Sequence, residues 1–395
     1  MSAAQSKPGL RRVLTLWPLI FYGLGVIVGA GIYVAIGEVI GRAGEAAPLS
    51  FLLAGVSAAL TGLCYAELAA RFPEASGGVA YVRHGFGSDR LALATGVAVA
   101  AAVAISAASI ASGTIQYLVM LLPLPVPLLL TMLIGGFTGI ALLGVGESVG
   151  VAAAIGALEI AGLLAATAAG LWSAPDFGMS QMIPHDGQGW IGVLAGAFIA
   201  FFAFIGFETL ANLGEEITDP RRTLPLGILG AVAASVALYL LVVTSIVLSD
   251  RITGNPLLGL FEGKGASVFL IVGALAVGNG VLVQIVMLSR LFYGMATKGQ
   301  LPNVLTHVSP RTRSPFPATL LAAAIVLTVT LLVPFRHLLV FANAVTLAVF
   351  ILVDLALWRL RLLGPPLAEG FHAPIWVPPI AALVSLILLV AEFLF

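Results

Sequence analysis

Two carboxylates lie deep in apolar surroundings: Glu159 within Ala157-Leu-Glu-Ile-Ala-Gly162, and Glu208 at the end of Phe201-Phe-Ala-Phe-Ile-Gly-Phe-Glu208. A charged carboxylate at a bilayer centre costs about 2.5–3.5 kcal/mol on insertion scales, so such residues turn inward and are functional candidates. Each is placed to exchange a proton as its surroundings open and close. The structural alternative is a protonated acid bonded to a neighbouring helix at Glu159, and at Glu208 a brace for unwound backbone. A third feature is Gly23-Leu-Gly-Val-Ile-Val-Gly-Ala-Gly-Ile-Tyr33, with four glycines inside a hydrophobic stretch. A helix broken there bares N–H and C=O groups that lipid cannot satisfy, and proteins tolerate this only where the groups face a cavity or ligand. The segment therefore points to a binding site; close helix packing through small residues is the alternative.

The elements that position these residues are membrane spans. The chain is 60% hydrophobic and 9% charged, with mean hydropathy +1.11, and apolar runs recur along its length, as in a polytopic helical membrane protein. Lys plus Arg and Asp plus Glu are 18 each, so the formal net charge is zero. No basic field exists to favour nucleic acid. The single Cys64 excludes an internal disulfide, and the five histidines (84, 185, 307, 337 and 372) lack ligand spacing, so neither a metal nor another cofactor is expected. The first ten residues have no apolar core followed by a cleavage site, so the first span is expected to serve as the signal.

Runs of about 20 apolar residues, punctuated by Pro, Gly and charges, give eleven spans: 14–40, 49–70, 90–118, 126–145, 148–172, 190–213, 225–249, 265–296, 317–334, 337–358 and 374–394. With the N-terminus cytoplasmic, Arg42, Arg251, Lys264 and Arg336 fall outside and the other 14 of the 18 basic residues inside. The positive-inside rule supports that orientation, which leaves Phe395 outside. Ser76 to Gly87 mixes glycine, aromatic and basic residues at the inner boundary and suits an interfacial piece or an ordinary loop. Gly206 followed by Glu208 marks a second mid-span irregularity, in span six. Interruptions in spans one and six fit two five-helix halves, 14–172 and 190–358, related by an inverted pseudo-two-fold, with 374–394 as an extra helix.

Several separated motifs agree in order and spacing. They are Gly25-Val-Ile-Val-Gly-Ala-Gly-Ile-Tyr33, Tyr65-Ala-Glu-Leu-Ala-Ala-Arg-Phe-Pro-Glu74 continuing to Tyr81, Phe202 to Glu208 continuing through Glu215-Glu-Ile-Thr-Asp-Pro-Arg-Arg222, and Ser289 to Pro302. Together, over about residues 14 to 358, the chain resembles a bacterial permease of the amino acid–polyamine–organocation superfamily. The resemblance implies the LeuT-type fold with helices 1 and 6 broken, an inner-membrane location, and uptake or exchange of amino acids or related amines. Members usually have twelve spans; reading eleven here bears on oligomeric contacts more than on the transport core.

An amino acid carries a carboxylate and an ammonium on one carbon. Unwound N–H groups around Gly29, Ala30 and Gly31 would take the first with dipole assistance; carbonyls near Val26, Ile27, Phe202, Ala203 and Ile205 would take the second. Family position supports Gly29, Ala30, Gly31, Phe202, Ala203 and Ile205 as contacts, with Phe202 as an aromatic cover. Ser106, Ser109, Ser112, Asn279, Gln284 and Asn343 could line the site, but read better as interhelical hydrogen-bonding groups. Glu159 aligns where some relatives carry a lysine that stands in for sodium. Its reversed sign leaves Na⁺ binding, carriage of the coupling H⁺, and pairing with a substrate amine all open.

Glu67, Arg71, Glu74, Glu215, Glu216, Asp219, Arg221 and Arg222 cluster at the inner face. Glu67, Arg71, Glu216 and Arg221 are the candidate cytoplasmic gate, although exposed pairs contribute only about 0–1 kcal/mol each. The favoured function is proton-coupled amino acid transport, with a cationic amino acid or polyamine carrier or an exchanger second. A channel would need rings of carbonyls or charges. An enzyme or ATP-driven pump would need a nucleophile constellation or a phosphate loop, and the sequence has neither. A membrane scaffold is the remaining alternative.

Overall fold

Proline and capping residues start most of the helices. The computed structural model describes residues 15–394 apart from 75–76, 175–181, 250–254 and 365–369, and leaves out the side chains at 29, 30, 145–150, 153, 215 and 216. Its α-helices are α1 Leu16–Ala43, α2 Ala47–Arg71, α3 Gly77–Phe86, α4 Asp89–Leu121, α5 Val126–Leu143, α6 Val145–Ser173, α7 Gly187–Phe201, α8 Pro220–Leu248, α9 Gly263–Thr297, α10 Phe316–Leu332, α11 Phe335–Leu363 and α12 Val377–Leu394. Helices α2, α5, α8 and α10 carry proline in the first turn, where its missing N–H had no helical partner. Ser88 caps α4 through Leu91 N at 3.3 Å, and Asp186 caps α7 through Gly189 N at 2.7 Å.

Each expected span contains a helix, and the remaining one, α3, shows that the stretch read as an interfacial piece or an ordinary loop is helical over Gly77–Phe86. Among the described residues, nine helical stretches are long and apolar enough to cross a membrane; one of them, 31–71, joins the second half of α1 to α2. Helix α10 and the first half of α1 are shorter apolar helices. This is an all-α polytopic membrane protein.

Packing sorts the helices into two groups. Helices α1, α2, α7 and α8 pack against one another, while α4 packs on α9 and α11, and α11 on α12. Arg42 at the end of α1 reaches Glu392 of α12 through two contacts of 3.2 and 3.3 Å.

The expected interruptions differ. In span six α7 ends at Phe201, a 3-10 turn covers Phe202–Phe204, Ile205 is extended, and Gly206 has φ +132° before a second 3-10 segment, Phe207–Glu216. That φ is strained for any residue with a Cβ, so glycine at 206 is what permits the break there. Span one was expected to break at Gly29 to Gly31, yet α1 is helical throughout Leu16–Ala43. Glycine costs a helix only about 1 kcal/mol relative to alanine, so the run permits unwinding without imposing it. Gly31 serves close packing: a Cβ there would lie 2.3 Å from Ala203 Cα.

Candidate functional site

The α1 glycines and the break after α7 meet around a small cavity. Its wall takes Gly25, Val26, Ile27 and Gly31 from α1, Phe202 and Ile205 from the break, Ser106 and Ile110 from α4, and Asn279 and Gln284 from α9. Five of the eight expected contacts, Val26, Ile27, Gly31, Phe202 and Ile205, therefore share one cavity. Ala203 packs behind it on Gly31. Gly29 and Ala30 belong to the α1 backbone, and their side-chain positions lie outside the described residues. Gly25 faces open space, with nothing within 4 Å of a Cβ placed there.

The cavity measures about 20 Å³, close to the minimum for a single water. An amino acid does not fit until the walls part. The expected ammonium acceptors are also engaged: the Tyr239 hydroxyl of α8 lies 2.9 Å from both Ile27 O and Ala203 O. A hydroxyl has one proton to donate, so the two carbonyls share it, and Tyr239 ties α1 to the break.

Beside the cavity, the fully buried Glu159 of α6 faces α9. Asn279 Nδ2 donates to Glu159 Oε1 at 3.1 Å and to Ala152 O at 3.2 Å. Tyr33 donates to the Glu159 carbonyl at 3.0 Å, so α1 is tied to the same turn. Glu159 Oε2 and Asn279 Oδ1 are buried and without a hydrogen-bond partner among the described residues. Both accept only while the carboxyl is ionised; a carboxylic acid can donate. A proton on Oε2 turns that oxygen into a donor, and the amide's own Oδ1 is an unpartnered acceptor. Two free oxygens are few for a sodium ion.

Glu208 is half-buried, and its Oε2 accepts from Gly206 N at 2.8 Å. It satisfies an N–H released by the break in its own span rather than backbone of span one. Among the other polar candidates, Gln284 Nε2 reaches Ser106 Oγ at 3.4 Å across α9 and α4. Asn343 donates to Phe198 O at 2.8 Å, binding α11 to α7, and Ser109 bonds Ile105 O within its own helix. Ser112 lies at a separate apolar recess beside the α10–α11 turn.

The expected gate is rearranged. The fully buried Glu67 receives Arg71 Nη2 at 2.5 Å, Arg361 Nε at 3.1 Å and Ala373 N at 2.9 Å, with Arg361 Nη2 also in contact. These bonds join α2 to α11 and to the segment before α12. Arg221 is exposed, and the Glu216 side chain lies outside the described residues. Arg361, absent from the expected gate, joins Glu67 because the ends of α2 and α11 lie side by side, a proximity that nearly 300 residues of chain separation hides.

A sequence model of the amino acid permease family matches residues 14–395. The chain belongs to that family. It is an APC superfamily permease, as the motifs in α1, α2 and the span-six break implied. It is 30% identical to cationic amino acid transporter 9, chloroplastic, of Arabidopsis thaliana over 78% of this chain, which spans only 60% of that relative's length. The methylthioribose transporter of Bacillus subtilis (strain 168) is 29% identical over 95% of this chain and 86% of its own. The branched-chain amino acid permease BcaP of the same organism is 27% identical over 98% and 88%.

Three residues of this permease escaped the sequence reading. Tyr239 and Tyr33 act through hydroxyls at the ends of long side chains, which no local pattern reveals. Asp354 in α11 is a fully buried carboxylate, and it carried the same signal as Glu159, an acid in an apolar run.

Proposed function

We propose that this permease is a secondary active transporter that moves amino acids by alternating access, coupled to proton symport. The observation that carries the reading is the narrow cavity between α1 and the span-six break, set beside the Glu159–Asn279 pair. Substrate enters as the α1, α2, α7 and α8 group rocks against the α4 and α9 group. Filling the cavity displaces Tyr239 from Ile27 O and Ala203 O, freeing them for the ammonium. Opening of α1 at Gly29 to Gly31 offers N–H groups to the carboxylate, and Phe202 covers the bound substrate.

Glu159 carries the coupling proton, since protonation satisfies both its own free oxygen and that of Asn279. Glu208 is a second proton-coupling candidate at the break. Glu67 and Arg71 close the inner side, with Arg361 in place of Arg221. The charge distribution supports a bacterial plasma membrane with the N-terminus cytoplasmic, and the two five-helix halves form an inverted repeat.

A cationic amino acid or related amine is the second reading. It is favoured by the free acceptor oxygens of Glu159, Asn279 and Gln284 around the cavity. Competition by leucine against arginine in a liposome uptake assay separates the two: the first reading requires leucine to displace the labelled substrate and arginine to leave it bound.

A further inference from the structure

The contact between α2 and α11 holds a carboxylate that the site above does not use. Asp354 is fully buried, as are Thr61 and Cys64 opposite it. Thr61 Oγ1 donates to Asp354 Oδ2 at 3.0 Å. Asp354 Oδ1 is buried and has no hydrogen-bond partner among the described residues. One neutral donor is poor compensation for a buried charge, which in such a setting is paired or removed by a proton.

Among the described residues, no cation near Asp354 is free to pair with it. Arg361, two turns on, is bound to Glu67. On α2 the other titratable groups facing this region are Tyr65 and Glu67, and α3 brings Tyr81. Helix α4 carries charge only at Asp89 and Arg90 in its first turn, α12 only at Glu392, and α7 not at all. Toward the span-six break the rings of Tyr65, Phe207 and Phe350 pack together, with centroids 5.2 to 5.7 Å apart. Glu208 follows Phe207 in the chain.

We propose that Asp354 is a proton-binding site separate from Glu159 and Glu208, lying where the α2 group meets the α11 group and opening to the inner face when they part. Proton binding follows from the enclosure alone; the opening rests on the alternating-access reading. When the groups part, Thr61 leaves the carboxyl and water reaches it. Asp354 then exchanges its proton with the inner solution, and before closure it takes one from that same water at Oδ1, so that it is enclosed as the neutral acid.

Infrared difference spectroscopy of the full chain in lipid nanodiscs across a pH step tests the binding. The expected result is a protonated-carboxyl band at neutral pH that Asp354→Asn removes and that Glu159→Gln and Glu208→Gln leave in place. Thr61→Val, which deletes one donor without touching the acid, shifts that band. A spectrum unchanged by both Asp354→Asn and Thr61→Val overturns the proposal, and Thr61→Val decides alone if Asp354→Asn does not fold.

The opening is read in liposomes. Asp354→Asn is expected to lower pH-driven uptake at least tenfold while sparing exchange at equal pH, and uptake at the wild-type rate overturns that part. Wild-type protein that moves no substrate refutes the transport reading and leaves the infrared assignment to stand on its own.

Discussion

Asn279 and Glu159 meet at 3.1 Å through one N–H···O bond, and each leaves one oxygen unpartnered. Asn279→Leu keeps the side-chain volume and removes both the donor and the acceptor that Asn279 presents beside Glu159. The pH profile of liposome uptake is therefore expected to move away from that of the wild type. An unmoved profile assigns the coupling proton to another group.

Gly25 and Gly31 lie two turns apart on α1 and are expected to respond in opposite ways. At Gly31 a methyl group meets the Ala203 backbone, so Gly31→Ala overpacks the α1 contact and destabilises by about 1–3 kcal/mol, measured as thermal unfolding in detergent. Gly25→Leu has room for its Cβ and fills the cavity, so the protein stays folded while substrate binding is lost. Undiminished binding in Gly25→Leu places the site elsewhere.

Tyr239→Phe removes the one hydroxyl shared by Ile27 O and Ala203 O. The loss is expected to be about 0.5–1.5 kcal/mol, visible as a lower unfolding temperature. A variant as stable as the wild type shows that the tie between α1 and the break contributes nothing.

Glu208→Gln preserves an oxygen for Gly206 N and removes the titratable group. The fold is expected to survive, with accumulation driven by a pH gradient reduced and exchange at equal pH retained. Full proton-driven accumulation in this variant leaves Glu208 with the structural role alone and coupling with Glu159.

The spans were legible because proline, glycine and charge punctuate the apolar runs, and the span-six break because Gly206 takes a conformation that other residues adopt under strain. The α1 glycines misled on local structure: glycine allows both an open helix and close packing, and Ala203, which decides between them, lies about 170 residues away. Glu67 was legible as an acid near the end of a span. Its partners were not, since Arg361 and Ala373 arrive from the far end of the chain. Phe202 and Ile205 were placed by family position and Val26 and Ile27 by the carbonyls of the expected break, whereas Tyr239 has no signature in sequence.

The central claim is coupling of amino acid movement to protons. Its direct test is uptake of a labelled amino-acid mixture by the reconstituted protein under an imposed inward pH gradient, with a sodium gradient and an uncoupler as separate controls. The account predicts accumulation that follows the pH gradient and disappears with the uncoupler. Uptake that needs sodium, or that occurs only into vesicles preloaded with amino acid, would contradict it.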